Sequence, residues 1–286
     1  LTGGNHGDEY EGPIALLKLV RSLEPSQVSG RIIVMPTLNL PAVRAGTRLS
    51  SIDGLNMNRV FPGKRNGSIT AMIAHYVHTE ILPLVDVVVD IHAGGKTLNL
   101  VPCAVMHQLE DKALMEKTMS ALMAFGAPFG LVLLELDSEG MLDTDVEEMG
   151  KVFLSTELGG GGTVTTHTMG IADTGIRNVL CHFGLLDETP VTPEARGLPA
   201  TRLMHTADQD CFIIAGDNGL YEILVDLGTD VETGTPIGQI HFYETPERTP
   251  LVYHARRSGT IVCRHFPGLV QAGDCLAVIA TDYDGG

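Results

Sequence analysis

The chain has 286 residues, of which 35 are acidic and 19 are basic, so its formal charge at pH 7 is −16. Nucleic acids and anionic membranes attract basic surfaces, so this charge argues against both as partners. The five cysteines include no C-x-x-C pair, a pattern typical of reduced thiols. No apolar run is long enough to cross a membrane and no signal peptide is visible, so we predict a cytoplasmic protein.

Leu1-Thr2 has the character of a strand end, and we expect a β-structured segment to precede it. Apolar residues at helical spacing predict a helix over residues 11–23, and a short β-branched run predicts a strand over 31–36. Residues 41–58 lack periodicity and predict a long loop, which in compact domains is usually functional. A helix is predicted over 70–82.

Strands and helices then alternate along the chain. The predicted strands cover 85–92, 99–106, 131–136 and 151–157, and the predicted helices cover 111–125 and 164–186. This alternation predicts an α/β fold, with a sheet covered by helices on both faces.

The character of the sequence changes after residue 187. Several prolines predict a linker over 188–209, and short β runs separated by glycine turns predict a small all-β domain over 210–286. Two of its segments form a weak internal repeat, similar to the two halves of biotinyl- and lipoyl-like β-barrels. No lysine follows Lys151, so attachment of a carrier group is excluded. Residues 1–187 would then form the catalytic domain.

His6 and Glu9 form an H-x-x-E pair in a glycine-rich loop between a strand and a helix. The buried strand 85–92 would deliver His92 at its carboxyl end, where α/β sheets bind their ligands. Two imidazoles and one carboxylate leave the fourth position of a zinc ion open, as in catalytic sites. The alternative for His6 is a loop histidine that bonds a neighbouring carbonyl.

Asp90 lies two residues before His92 and therefore faces the same side of the strand. It would support His92 as a hydrogen-bond acceptor, although a strand-end aspartate that binds loop amides is an equal alternative. His75 and His78 form a competing H-x-x-H pair on a predicted helix. They have no third ligand in sequence, which favours a solvated helix face.

Glu157 ends a predicted strand just before the four glycines Gly159–Gly162. A carboxylate beside a metal can act first as a general base and then as a proton donor. The alternative is a carboxylate that stabilises a helix N-terminus.

Arg48, Asn58 and Arg59 lie on or at the end of the predicted long loop. The planar guanidinium of arginine matches a carboxylate, and an asparagine adds a further donor. These residues are candidates to bind an acidic group of a substrate, and the alternative is a set of solvated surface residues.

Four motifs together resemble the succinylglutamate desuccinylase/aspartoacylase family, which shares the zinc-carboxypeptidase fold. The motifs are G-G-N-H-G-D-E (Gly3–Glu9), G-L-N-M-N-R (Gly54–Arg59), D-I-H (Asp90–His92) and T-E-L-G (Thr156–Gly159). The resemblance implies a mixed sheet flanked by helices, followed by a β-barrel-like C-terminal domain. By motif match it implies one zinc ion on His6, Glu9 and His92.

The same match implies Glu157 as the catalytic carboxylate and Asn58 and Arg59 as binders of the substrate carboxylate. Arg48 matches with a different spacing, and Asn56 stands where many members have aspartate. Further stretches resemble one branch of the family, whose substrate is an N-acetylated diamino acid. They cover residues 1–12, 59–63, 147–151, 157–162, 255–260 and 265–268.

We therefore predict a zinc-dependent hydrolase that cleaves the amide of a small N-acylated amino acid, with an N-acetylated diamino acid as the first choice. The alternatives are succinylglutamate desuccinylase, aspartoacylase or zinc carboxypeptidase activity, and a metal- or ligand-binding protein without turnover. The sequence leaves open whether the chain forms a homo-oligomer and whether Arg256 and Arg257 reach the site.

Overall fold

The structure is a computed structural model that describes residues 1–134 and 139–285. Its α-helices are α1 (Glu11–Ser22), α2 (Leu40–Ala45), α3 (Ile69–Tyr76), α4 (Lys112–Phe125), α5 (Leu142–Glu148) and α6 (Thr166–His182). The strands of the first 206 residues are β1 (Thr2–Gly3), β2 (Val87–His92), β3 (Leu98–Leu100), β4 (Cys103–His107), β5 (Phe129–Leu133), β6 (Val152–Glu157) and β7 (Arg202–Thr206). Those that follow are β8 (Phe212–Ile214), β9 (Gly219–Ile223), β10 (Asp230–Val231), β11 (Pro236–His241), β12 (Leu251–His254), β13 (Gly259–His265), β14 (Leu269–Val270) and β15 (Cys275–Asp282).

One mixed sheet runs through the molecule in the order β1-β2-β6-β4-β5-β7-β15-β13-β10. Strands β1, β2 and β6 are parallel, β4 is antiparallel to β6, and β5 and β7 are parallel to β4. The parallel register aligns His92 of β2 with Glu157 of β6. The sheet therefore brings two of the predicted site residues to the same edge.

Helices cover both faces of this sheet, as the α/β prediction requires. The core beside α1, α4 and α6 contains large buried side chains, among them Leu16, Leu122, Phe125 and Ile176. Val89 and Ile91 of β2 point into it. Successive side chains of a strand alternate in direction, so Asp90 and His92 point to the opposite face, where α3 and α5 pack.

The C-terminal β region has a sheet of its own, ordered β12-β11-β9-β14, and a separate buried core. It is also joined to the large sheet, because β15 pairs with β7 and β13 pairs with β3. Strand β7 lies inside the predicted linker 188–209. The division into 1–187, 188–209 and 210–286 stays a prediction.

Three local predictions differ from the structure. Residues 31–36 form no strand: Met35 makes a single bridge to Thr2. The predicted loop 41–58 begins inside α2, which Asn39 caps by accepting the N–H of Ala42. The predicted strand 99–106 is split into β3 and β4 at Pro102, which has no N–H to donate.

The predicted helix 70–82 begins as α3 and continues as a π-helical turn over Val77–Ile81. The remaining long elements are confirmed within a few residues at their ends. Residues 135 and 136 of the predicted strand 131–136 lie outside the described residues. Within the described part of the chain, no helix is long and apolar enough to cross a membrane.

Candidate metal centre and catalytic cavity

The loop that carries His6 and Glu9 is held close to neighbouring backbone. A Cβ on Gly7 would lie 2.0 Å from the carbonyl oxygen of Ala42, so only glycine fits there. Gly4 has a φ of 69°, a left-handed conformation that glycine adopts without strain. The loop follows β1, and α1 begins at Glu11 directly after it. Regular structure therefore holds the loop of His6 and Glu9 at both of its ends.

His6, Glu9 and His92 converge as the sequence predicts. The Nδ1 atom of His6 lies 2.8 Å from Oε1 of Glu9, and Nδ1 of His92 lies 2.8 Å from Oε2 of the same carboxylate. All three residues are buried, and each offers one ligand atom within 4.8 Å of the others. No other group of this kind is found in residues 1–134 and 139–285.

The outer nitrogen of each histidine is bound to a fixed acceptor. Nε2 of His92 lies 2.8 Å from Oδ2 of Asp90, so the contact that a supporting role of Asp90 requires is present. Asp90 in turn accepts hydrogen bonds from Thr2 and Asn5. Nε2 of His6 lies 3.0 Å from Oδ1 of Asn56, an oxygen that also accepts the backbone N–H of Asn58.

These contacts make the donor set suitable for a metal ion. Both Nε2 atoms face acceptors. Ring protons held there by Asp90 and Asn56 would leave both Nδ1 atoms as ligands for a cation beside Glu9. Burial raises the pKa of Glu9, but His92 and His6 outweigh burial and hold the pKa well below its usual range. Glu9 is therefore an ionised ligand.

Glu157 lies beside this group at the end of β6. Its Oε2 atom is buried and has no hydrogen-bond partner among the described residues. Burial and, after it, the charge of Glu9 raise the pKa of Glu157 to about 8. An unpartnered carboxylate with a pKa near neutrality is suited to proton transfer.

The three predicted substrate-binding residues line the same cavity as the metal ligands and Glu157. Nη1 of Arg48 lies 3.5 Å from Oε1 of Glu9, and its side chain is half exposed. Asn58 is buried, and its Oδ1 accepts the N–H of Leu142 at the start of α5. Its amide NH₂ group therefore remains as a donor. Arg59 donates from Nη1 to the carbonyl oxygen of Asn58.

The cavity has a volume of about 480 Å³ and continues beyond the metal group. Its far wall contains His107, Asp143 and Thr206, none of which the sequence analysis singled out. Asp143 was missed because α5 has only seven residues and shows no clear period. Apolar residues of the C-terminal region, such as Phe212 and Val278, complete the wall.

Other candidates lie elsewhere. Nδ1 of His78 bonds the carboxylate of Asp145 at 2.9 Å, so this histidine is part of a helix contact and not of a metal group. Arg257 bonds Asp208 and Sγ of Cys211 and does not line the cavity, and neither does Arg256.

Comparison with known proteins places this geometry in a family. A family model described as the succinylglutamate desuccinylase/aspartoacylase catalytic domain matches residues 1–183. The chain is 42% identical to the N-alpha-acetyl-L-2,4-diaminobutyric acid deacetylase of Halomonas elongata over 280 residues, which cover 98% of this chain and 81% of that protein.

Solved structures agree with the sequence comparison. The product-bound ectoine utilization protein from Ruegeria pomeroyi superposes with a TM-score of 0.94 at 46% identity, over 98% of this chain and 84% of that one. A succinylglutamate desuccinylase/aspartoacylase from Rhodobacter sphaeroides gives a TM-score of 0.94 at 42% identity, over 99% and 85% of the two chains. The chain belongs to the succinylglutamate desuccinylase/aspartoacylase family.

Proposed function

We propose that the protein is a zinc-dependent amidohydrolase that removes the acetyl group from N2-acetyl-L-2,4-diaminobutanoate. Water adds to the acetyl carbon, the carbon–nitrogen bond of the amide breaks, and acetate and 2,4-diaminobutanoate leave. The Halomonas relative is named for this deacetylation. At 42% identity over nearly the whole chain, it gives the strongest support for this substrate.

One observation carries the catalytic part of the proposal. Oε2 of Glu157, a carboxylate oxygen without a partner among the described residues, lies in the cavity that holds the three-residue metal group. A structural zinc site has four protein ligands, whereas three ligands and an open position are typical of catalysis. This arrangement supports an enzyme over a metal-storage or ligand-binding protein.

His6, Glu9 and His92 would hold the zinc ion. When bound there, the ion supplies a Lewis acid for the acyl oxygen and lowers the pKa of water. Asp90 and Asn56 keep the imidazoles in the tautomer and orientation that present Nδ1. Zinc suits this mixed nitrogen and oxygen set, although metal supply in the cell also decides occupancy.

Glu157 would take a proton from the attacking water and deliver it to the nitrogen of the leaving amine. In the metal-free protein, the charge of Glu9 contributes to the raised pKa of Glu157. A cation bound to Glu9 offsets that charge and favours the ionised base. The protonated form that follows is the acid that the second step needs.

The donors of Asn58 and Arg59 would bind the α-carboxylate of the substrate, and Arg48 would approach it from the half-exposed side of the cavity. Fixing this carboxylate orients the amide before the chemical step and lowers its entropic cost. The bidentate geometry of a guanidinium favours a planar carboxylate over other anions.

The Rhodobacter structure carries a desuccinylase/aspartoacylase title at a TM-score of 0.94, so removal of other acyl groups is the second candidate. Both candidates use the same metal group and the same Glu157, and differ only in the acyl and side-chain pockets. For either activity we propose a cytoplasmic enzyme that acts on small molecules.

A substrate panel tests the proposal. Zinc-loaded protein is incubated with N2-acetyl-2,4-diaminobutanoate, N-acetylaspartate, N2-succinylglutamate and a dipeptide, and released primary amine is measured. We expect fast release from the first compound. Faster release from another member would correct the substrate, and no release from any, with zinc bound, would contradict the enzymatic role.

A further inference from the structure

A second cluster of histidine and carboxylates lies in the far wall of the cavity. Nδ1 of His107 is 2.9 Å from Oε2 of Glu147, and Nε2 of His107 is 3.8 Å from Oδ2 of Asp143. Asp143 is 7% exposed and lines the cavity. Its Oδ1 accepts the N–H of Thr144, but the described residues place no donor within hydrogen-bond distance of Oδ2. The cavity wall therefore contains a carboxylate oxygen that can accept a hydrogen bond from a ligand.

Thr206 provides a second, independent sign of a ligand. It is 2% exposed and lines the cavity, yet its Oγ1 has no hydrogen-bond partner in the described part of the chain. The parallel register aligns His107 of β4 with Leu133 of β5, and Leu133 with Thr206 of β7. A buried hydroxyl without a partner is unfavourable unless a bound group satisfies it.

The two oxygens specify what that group is. Oδ2 of Asp143 and Oγ1 of Thr206 both belong to residues that line the cavity, so a ligand group that donates hydrogen bonds complements them. Because a hydrogen bond to a carboxylate is stronger when its donor is charged, a cationic group with several donors is the best match.

The position of Asp143 relative to the substrate-binding residues supports this. Asn58, whose NH₂ group faces the proposed carboxylate pocket, accepts the N–H of Leu142 and so fixes the residue next to Asp143. Cys103 pairs with Glu157 across β4 and β6, and His107 lies four residues further along β4. Four residues of strand cover about 13 Å. The cluster therefore lies toward the opposite end of β4 from Glu157, and Asp143 and Glu157 line the same cavity.

Resting on the proposed deacylase function, we propose that Asp143 and Thr206 form a subsite for the free side-chain amine of the substrate. The ammonium group donates to Oδ2 of Asp143 and to Oγ1 of Thr206, while the acylated α-nitrogen lies at the metal group. The subsite selects N-acylated amino acids with a short cationic side chain. It disfavours side chains that carry a carboxylate, as in aspartate and glutamate.

The test compares two substrates of equal shape in three proteins. N2-acetyl-2,4-diaminobutanoate and N-acetylnorvaline differ only in an ammonium group against a methyl group. The ratio of their kcat/KM values is measured for the unmodified protein, for Asp143→Asn and for Asp145→Asn. Asp145 is a buried aspartate on the same helix that bonds His78 instead of lining the cavity, so its variant controls for damage to α5.

We expect the unmodified protein and Asp145→Asn to prefer the diamine derivative strongly. In Asp143→Asn the ratio should fall by about tenfold to a hundredfold, the loss typical of a hydrogen bond to a charged group. Thr206→Val should lower the ratio by a smaller factor. A merely structural role for Asp143 would lower both kcat/KM values equally and leave the ratio unchanged.

Failure of the subsite and failure of the deacylase function give different results. Equal rates on both substrates in the unmodified protein, or an unchanged ratio in Asp143→Asn, would overturn the subsite while the enzyme remains a deacylase. An unmodified protein that binds zinc and hydrolyses neither compound would contradict the proposed function itself.

Discussion

Two clusters of histidine and carboxylate face the same cavity, yet they are built for different tasks. In the metal group, His6 and His92 direct both Nδ1 atoms to one carboxylate, Glu9. In the far cluster, His107 contacts Glu147 at 2.9 Å through one nitrogen and Asp143 at only 3.8 Å through the other. The side chains of the first group converge on one carboxylate, whereas in the second group the two carboxylates lie on opposite sides of one histidine.

The difference arises from what surrounds each histidine. Asp90 and Asn56 bind the outer nitrogens of the metal group, so that its inner nitrogens both point toward Glu9. In the far cluster the cavity-facing oxygen belongs to Asp143 and the other polar atom is a hydroxyl. Residue types alone do not separate a metal site from an ammonium site, but the directions of the hydrogen bonds do.

The largest effect on zinc binding and activity should come from removing one of the three metal ligands. His92→Ala removes one ligand and leaves Asp90 and Glu9 as buried charges without their shared partner. We expect loss of both bound zinc and activity, measured by metal analysis and amine release. His78→Ala, which alters a histidine bonded to Asp145, should keep both. A full equivalent of zinc on His92→Ala would refute the ligand assignment.

Weakening the hydrogen-bond acceptor of His92 should have an intermediate effect on metal affinity. Asp90→Asn keeps the shape of the side chain but replaces the charged acceptor of His92 Nε2. Loss of such a support typically lowers metal affinity by about 10- to 100-fold, which competition with a chelator would measure. Asp145→Asn is the matched control. Unchanged affinity in Asp90→Asn would show that the 2.8 Å contact does not tune the metal.

Strengthening the hydrogen-bond acceptor of His6 tests the same effect on metal affinity in the opposite direction. Asn56 is the neutral counterpart of Asp90, since it accepts Nε2 of His6 at 3.0 Å. Asn56→Asp adds a negative charge that makes His6 a more basic ligand, so we expect metal affinity to rise roughly severalfold. The same chelator competition measures it, and a fall in affinity would show that a negative charge at this position does not strengthen His6 as a ligand.

How much of this the sequence could predict depends on the distance over which each feature is encoded. The H-x-x-E pair, the D-I-H strand end and the T-E-L-G strand end are local motifs, and they identified His6, Glu9, His92 and Glu157, which line one cavity. Asn56 as the support of His6 could be inferred only from the register of a loop 50 residues away. The far wall was missed because it combines side chains from β4, α5 and β7, whose alignment exists only in the folded sheet.

The strand errors have the same origin. Residues 31–36 have the composition of a strand, but only Met35 finds a bridge partner. The predicted linker contains β7 because its partner, β5, lies about 70 residues earlier in the chain. β propensity describes a suitable surface, and the pairing partner decides whether a strand forms.

A third buried carboxylate, Glu11, gives the smallest expected effect on activity but a measurable one on stability. It is 1% exposed, accepts a hydrogen bond from Thr168 through Oε1, and its Oε2 has no partner among the described residues. Burial raises its pKa from 4.5 to about 7. The folded state therefore keeps a proton that the unfolded state has released.

The stability contributed by this proton is complete below pH 4.5 and is lost as pH rises to about 7. In metal-free protein, Glu11→Gln should remove this part of the pH dependence and raise the free energy of unfolding at pH 8 by up to about 3 kcal/mol. Denaturant unfolding at pH 5 and 8 measures it. Glu116→Gln, an exposed change on α4, is the control, and equal pH dependence in both variants would contradict the assignment.

The central claim is that metal binding and proton transfer reside in different residues of one cavity. Zinc content and turnover of Glu157→Gln, measured on the same preparation, test it most directly. We predict a full equivalent of zinc and a loss in kcat of about 10²- to 10⁴-fold. A variant that keeps most of its activity, or one that loses its zinc together with its activity, would contradict the account.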